Sequence, residues 1–186
     1  MNEQLINILK VTTEELDSID MSFIETWLNK DDTGYMHHNS GREHYRLLTY
    51  ISTLYDDKII FDVGTNECRS AVCLANNNHN RVKSYDIIQV LPENPTLNNV
   101  EFILGDATKD LDILSSPFIF IDVDHDGIYE EKFLKFLKEH NWKGLLLMDD
   151  IHLNADMKRV WESINTEKYD LTNKGHWSGT GLAVFR

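Results

Sequence analysis

Apolar residues recur along this chain in two different periods, and the change from one to the other divides it. Residues 12–29 place Leu16, Ile19, Phe23, Ile24 and Trp27 at helical spacing, with Thr12 or Thr13 available to cap the first turn. A polar stretch over 31–41 reads as a loop, and 41–56 as a second helix with Tyr45, Leu48, Ile51 and Leu54 inward. From residue 58 onward, short apolar runs alternate with helical segments. Lys58–Val63, Arg81–Asp86, Val100–Leu104, Phe118–Asp122 and Leu145–Met148 are expected strands; 67–76, 108–114, 129–140 and 154–165 are expected helices. Tyr169–Thr172 and Leu182–Phe185 flank a glycine-containing loop and suit an antiparallel hairpin. This order predicts an α/β fold: a mostly parallel, seven-stranded sheet with a C-terminal antiparallel hairpin and helices on both faces.

Two of the expected strands end in acids. Phe118–Ile121 runs into Asp122, Val123, Asp124 and His125, and Leu145–Met148 runs into Asp149 and Asp150. The runs lie one strand-helix-strand unit apart, so the strands should be parallel and share a C-terminal rim, where open α/β sheets bind ligands. Carboxylates brought together there repel one another, which favours a bound hard cation or a shared proton. The plainer reading is that these acids cap the helices that follow them.

The first strand leads into Asp62-Val63-Gly64-Thr65-Asn66-Glu67-Cys68-Arg69-Ser70. A glycine there lets backbone approach a ligand, and the following helix start offers N–H donors. The second strand ends in Asp86, an acid suited to ribose hydroxyls, and the third is followed by Gly105-Asp106-Ala107. Taken alone, the same segment is equally a bare tight turn with Asp86 as a solvated strand end. It is neither a GxGxxG loop nor a GK[ST] triphosphate loop.

Composition narrows the partners. The chain has 186 residues, 41% hydrophobic and 26% charged, as expected for one domain with one substantial core. Its net charge of −13 disfavours nucleic acid and anionic membrane surfaces. No apolar stretch approaches the roughly 20 residues of a membrane span. The start of the chain lacks the blocks of a secretory signal. Cys68 and Cys73, five residues apart on one expected helix, are not placed to form a disulfide. The expectation is a reducing, cytoplasmic setting. A homodimer is one expected assembly. Trp27, Trp142 and Trp161 read as packing residues, and the acid pairs Asp31-Asp32 and Asp56-Asp57 as solvated surface.

In this order the motifs resemble those of class I S-adenosylmethionine-dependent methyltransferases. Within them the chain is most similar to the metal-dependent O-methyltransferase group with catechol-type, caffeoyl-CoA-type and sugar-modifying members. The resemblance spans about residues 41–186 and implies a Rossmann-like three-layer α/β/α sandwich, with 1–40 as an N-terminal helical or lid segment. It implies that Asp62, Gly64, Thr65, Asn66 and Ser70, then Asp86, Gly105, Asp106, Ala107 and Asp122, bind S-adenosyl-L-methionine. It implies that Asp122, Asp149 and Asp150 hold Mg²⁺ or another divalent cation. The all-oxygen donor set suits Mg²⁺, since zinc sites favour His or Cys. A small hydroxyl-bearing acceptor, a sugar or sugar conjugate before a catechol, would be oriented by the cation and lose its proton to a base. His125 is preferred for that role by its ordinary pKa of about 6.5, and Asp124 is the alternative.

One position departs from the family pattern: Cys68 replaces the last glycine of the first motif, and its side chain would crowd the methionine moiety. His37, His38 and His44 are candidates to line a lid, and His152 to reach the metal shell. Trp177, next to His176 in the hairpin loop, would either stack on substrate or anchor the core. Two rival readings remain open. One is a metal-independent methyltransferase whose acids bind substrate directly. The other is a non-catalytic cofactor-binding or interaction domain of the same fold.

Overall fold

The computed structural model describes residues 3–28, 34–89 and 95–186. Its centre is one sheet of seven strands: β1 (Ile59–Val63), β2 (Arg81–Asp86), β3 (Val100–Leu104), β4 (Phe118–Ile121), β5 (Gly144–Asp149), β6 (Glu167–Asp170) and β7 (Thr180–Phe185). Their spatial order is β3-β2-β1-β4-β5-β7-β6. β1 to β5 pair in parallel, and β7 runs antiparallel between β5 and β6. The fold is the Rossmann-like α/β sandwich expected from the sequence.

The central strands are near-continuous apolar runs because both of their faces are covered. Alternate side chains enter different cores. Ile60, Phe118, Phe120, Leu145 and Leu147 pack on one face against α3 (Tyr45–Thr53) and α4 (Arg69–Leu74). Phe61, Ile119, Ile121, Leu146 and Met148 pack on the other against α5 (Ile128–Glu139) and α6 (Ala155–Ser163). A one-residue slip of any strand would exchange the two sets, so the register is strongly specified. The edge strands β3 and β6 are only partly buried.

The N-terminal segment differs from its expected single helix. It holds α1 (Glu3–Lys10), which the pattern did not predict, α2 (Thr13–Asp17), and a short 3₁₀ turn over Ser22–Thr26. α2 begins in a capping box between Thr12 and Glu15, as the threonine suggested. It stops early because polar side chains capture nearby backbone: Ser18 Oγ donates to Glu15 O at 2.7 Å, and Ser22 N to Asp20 Oδ1 at 2.9 Å. Leu5, Ile8, Leu16 and Ile24 still reach the core under α3. The buried Arg46 guanidinium ties this segment to α3 by donating to the carbonyls of Asp17, Ile19, His37 and His38.

Two smaller expectations also change. Residues 108–114 are not one helix but parts of two 3₁₀ turns, Ala107–Lys109 and Leu111–Ser115, because Asp106 and Asp110 each cap a new start. Trp142 and Trp161 are buried as expected, whereas Trp27 is 40% exposed and packs little. Asp56 and Asp57 are exposed; Asp31 and Asp32 lie outside the described residues. Among the described residues no helix is long and apolar enough to cross a membrane.

Candidate active site

The strand order reverses at β1 and β4, with β2 and β3 on one side and β5 on the other. Loops leaving the C-terminal ends of such strands diverge and open a crevice. A cleft of about 310 Å³ lies there. Its wall takes Gly64 and Asn66 from the loop after β1, Asp86, Ile87 and Ile88 after β2, Gly105 after β3, and Asp122, Asp124 and His125 after β4. A pocket of about 30 Å³ adjoins it, sharing Gly64, Asn66 and Asp122 and adding Thr65, Ser70, His44, Tyr45 and Arg69.

Two glycines on this rim have different reasons. Gly64 has φ +107°, and a Cβ there would lie 1.6 Å from the Asp122 carbonyl oxygen. The β1 and β4 loops touch at that point, pinned by Asp122 N donating to Val63 O, while Gly64 N donates to Tyr85 O of β2, both at 2.8 Å. At Gly105 a Cβ would meet no atom within 4 Å and φ is ordinary, so the missing side chain leaves open space on the cleft wall. Cys68 adopts the left-handed φ of +65° that a glycine would prefer. Its side chain is fully buried, burial pushes the thiol up to about 12, and it lines neither cavity. The crowding expected from its replacement of glycine is therefore not seen.

Asp86 lines the cleft with both oxygens held, accepting from Asn66 N at 2.8 Å and Ile88 N at 3.0 Å. Asp62, Asp106 and Ala107 line neither cavity. Asp62 is fully buried behind the wall, accepts from Ser84 Oγ at 2.6 Å, and is pushed up to about 7 by burial; its Oδ1 has no partner. Asp106 caps Thr108 and accepts from Tyr129 Oη at 2.9 Å and Lys132 Nζ at 2.6 Å. Those contacts outweigh its partial burial and hold its carboxyl well below the usual range.

The acids of β4 and β5 meet beside the cleft. The last pair in register is Ile121 with Met148, so Asp122 and Asp149 follow side by side. They do not serve as helix caps. Asn154 caps α6, accepting from Met157 N at 2.9 Å, and Asp126 rather than Asp122 or Asp124 accepts from Ile128 N at the start of α5. Three histidines thread between the acids. His125 Nε2 lies 2.8 Å from Asp122 and 3.1 Å from Asp150. His176 Nδ1 lies 3.2 Å from Asp149 and 3.3 Å from Asp150, and His44 Nδ1 lies 3.3 Å from Asp149. His125 and Asp150 both carry positive φ, +57° and +59°. Strain of about 1–2 kcal/mol at each is typical of positions held by their surroundings for a purpose.

These pairs shift the titration of both His125 and His176 and of Asp149. Burial alone would lower His125 and His176, but the hydrogen bonds and charges of the neighbouring aspartates prevail and raise them to about 9 and about 10. Asp149 goes the other way: His44 and His176 overcome burial and hold it low. Both histidine values exceed the unfolded value of about 6.5, so their stabilisation is complete below that pH and is lost as pH rises through 9 and 10. Metal-free protein should therefore lose on the order of 2 kcal/mol between pH 6.5 and 10 after allowance for solvent screening. Thermal melts in chelator across that window measure it, with His176→Asn flattening the profile. An unchanged melting temperature in the wild type would mean that both rings are neutral in the fold.

The sequence drew attention to the acids and to His125 but not to His44 and His176 as companions of Asp149. His37 and His38 face Glu25 and Glu43 at 3.7 and 3.9 Å and line neither cavity. His152 pairs with Asp170 at 2.7 Å, outside the cluster. Trp177 is 65% exposed and is no core anchor.

No family model matches this sequence, and no curated protein does. Solved structures match in fold. Cofactor-bound Rv0187 from MTB gives a TM-score of 0.56 at 14% identity, over 100% of this chain and 91% of that one. An O-methyltransferase from Bacillus cereus in complex with SAH gives 0.52 at 17% identity, over 100% and 92%. TomG of Streptomyces achromogenes, an O-methyltransferase involved in tomaymycin synthesis and solved with SAM, gives 0.52 at 18% identity, over 76% and 78%. At such identities the similarity establishes a shared Rossmann-like α/β fold.

Proposed function

We propose that this chain is an S-adenosylmethionine-dependent O-methyltransferase whose acid cluster holds a divalent cation. One observation carries the reading: Asp122 lines both cavities and also belongs to the acid cluster, so a methyl donor and a cation-held hydroxyl would meet at one residue. The residues fit both groups. Gly105 leaves open space on the cleft wall, Ile87 and Ile88 are 60% and 63% exposed beside Asp86, and Asp86 is held rigidly for ribose hydroxyls. Asp149, 3% exposed, keeps an oxygen without a hydrogen-bond partner, an arrangement a cation would relieve.

The bound cofactor supplies a methyl carbon on a sulfonium, and a cation at Asp122, Asp149 and Asp150 would lower the pKa of an attached hydroxyl. The chain's own task is positioning and proton removal. The residue this chain must provide is a base to take the acceptor hydroxyl's proton as its oxygen is methylated. His125 is the preferred base. The charges of Asp122 and Asp150 beside it favour its protonated form, and neutralising those acids would return it toward its ordinary value. Asp124, exposed on the cleft wall, is the alternative acceptor. The acceptor is proposed to be a sugar or sugar conjugate, for which exposed Trp177 offers a flat apolar face beside His176.

Calorimetric titration of S-adenosylmethionine with Mg²⁺ and with excess chelator tests the first half of the reading. Micromolar binding in both is expected, with Asp86→Ala weakening it about 10–100-fold through loss of hydrogen bonds to a charged acceptor. No binding under either condition would leave a non-catalytic domain of this fold. A second reading has its own support: His44, His125 and His176 already offset three aspartates, as a metal-free enzyme would require. Turnover unaffected by chelator would select it.

A further inference from the structure

Every set of three metal-competent donors that closes to within 4.8 Å among the described residues contains an imidazole: His44 with Asp122 and Asp149, His125 with Asp122 and Asp150, and His176 with Asp149 and Asp150 or with Glu43 and His44. We propose that the acid cluster is a mixed imidazole–carboxylate site, in which His176 joins Asp149 and Asp150 as a ligand and His44 stands against Asp149, and that it takes Zn²⁺ or a neighbouring transition ion in preference to Mg²⁺. The proposal rests on the reading above that a cation binds here, and it assigns the ligands and the ion.

Three observations support it. The first is spacing. His176 Nδ1 lies 3.2 Å from an Asp149 oxygen and 3.3 Å from Asp150 Oδ1, and these three donors close on one point, while His44 Nδ1 meets Asp149 at 3.3 Å in a separate set with Asp122. Donors held about 2.0–2.1 Å from one ion are separated by about 3–4 Å. The second is unmet bonding. His44 is 2% exposed, and neither of its ring nitrogens has a hydrogen-bond partner; one oxygen of buried Asp149 has none either. Buried polar atoms left without hydrogen bonds are costly, and an ion bound through Asp149 would satisfy its free oxygen.

The third observation is orientation. His176 turns Nδ1 to the aspartates while its Nε2 lies 3.7 Å from Glu43 Oε2, so a carboxylate stands behind the ring, as behind many metal-bound histidines. Ser178 Oγ, 2.8 Å from the same Nδ1, adds an oxygen at that point. Mg²⁺ favours oxygen ligands and retained waters, whereas imidazole nitrogen suits the later transition ions and zinc.

The test uses the whole chain, stripped with chelator and titrated calorimetrically with Zn²⁺, Mn²⁺ and Mg²⁺, alongside His44→Gln and His176→Gln. Co²⁺-loaded protein is followed by its visible absorption. The expected result is Zn²⁺ binding at least 100-fold tighter than Mg²⁺, weakened 10–100-fold by His176→Gln, which also alters the Co²⁺ bands, and weakened less by His44→Gln. Melting curves establish that the variants are folded. If both histidine substitutions leave Zn²⁺ affinity and the Co²⁺ spectrum unchanged, the proposal fails while the all-oxygen cation site of the proposed enzyme survives. If no cation binds the wild type, the cation reading falls with it, and the histidines are counter-ions of the acids.

Discussion

Asp149→Asn should lower methyl transfer by about 10²–10³-fold while changing S-adenosylmethionine affinity by less than about threefold. Asparagine keeps the shape of the side chain and removes its charge. Asp149 lines neither cavity of the candidate cofactor site, but its carboxylate lies within 3.3 Å of both His44 and His176, and it stands beside Asp122 in the strand register. In the proposed enzyme it is a ligand of the cation that lowers the acceptor's pKa, a contribution of several kcal/mol, each 1.36 kcal/mol being about tenfold in rate. Single-turnover methylation with a sugar acceptor, together with cofactor titration, separates the two effects. Equal loss of cofactor binding and turnover would show that Asp149 acts through the fold. Full turnover would remove the cation from the mechanism and leave the three histidine–aspartate pairs as a charge-neutral, metal-free site.

How much of this was legible beforehand depends on the range of the interactions. The parallel strands were readable because burial on both faces leaves near-continuous apolar runs; the hairpin at the end of the sheet was expected from Tyr169–Thr172 and Leu182–Phe185 around a glycine-containing loop, and its first strand lies two residues earlier, at Glu167–Asp170, where the sequence is mostly polar. Parallel pairing of β4 with β5 then brings Asp122 beside Asp149, which is why the acids could be placed on one rim from spacing alone. The N-terminal segment was misread because Ser18, Asp20 and Ser22 divert backbone hydrogen bonds within a few residues and override an intact apolar periodicity. His44 and His176 lie 132 positions apart and reach Asp149 from the start of α3 and from the β6–β7 loop. No local pattern encodes such a meeting. Cys68 shows the converse: the departure from the family's glycine was visible, but whether its side chain would point into the cavity depended on the packing of α4.

The two glycines of the rim allow fold and site to be tested apart. Gly64→Ala should destabilise the protein by about 2–5 kcal/mol: about 1–3 for overpacking and about 1–2 for a left-handed backbone in a residue with a side chain. The obstruction is backbone, the Asp122 carbonyl oxygen 1.6 Å from the new carbon, so no rotamer change relieves it. A chain of this length should lose about 4–20 °C in melting temperature. Forcing the β1 and β4 loops apart also moves Asp122, the residue shared by both cavities, so cofactor affinity should fall with stability. Gly105→Ala should do the opposite. Its new carbon meets nothing within 4 Å and its φ is ordinary, so the melting temperature should stay within about 2 °C while S-adenosylmethionine binding weakens. Loss of binding in Gly105→Ala without loss of stability would place the cofactor against that wall. If Gly105→Ala binds S-adenosylmethionine like the wild type, the cofactor does not occupy this cleft, and the acid cluster must act on a ligand held elsewhere.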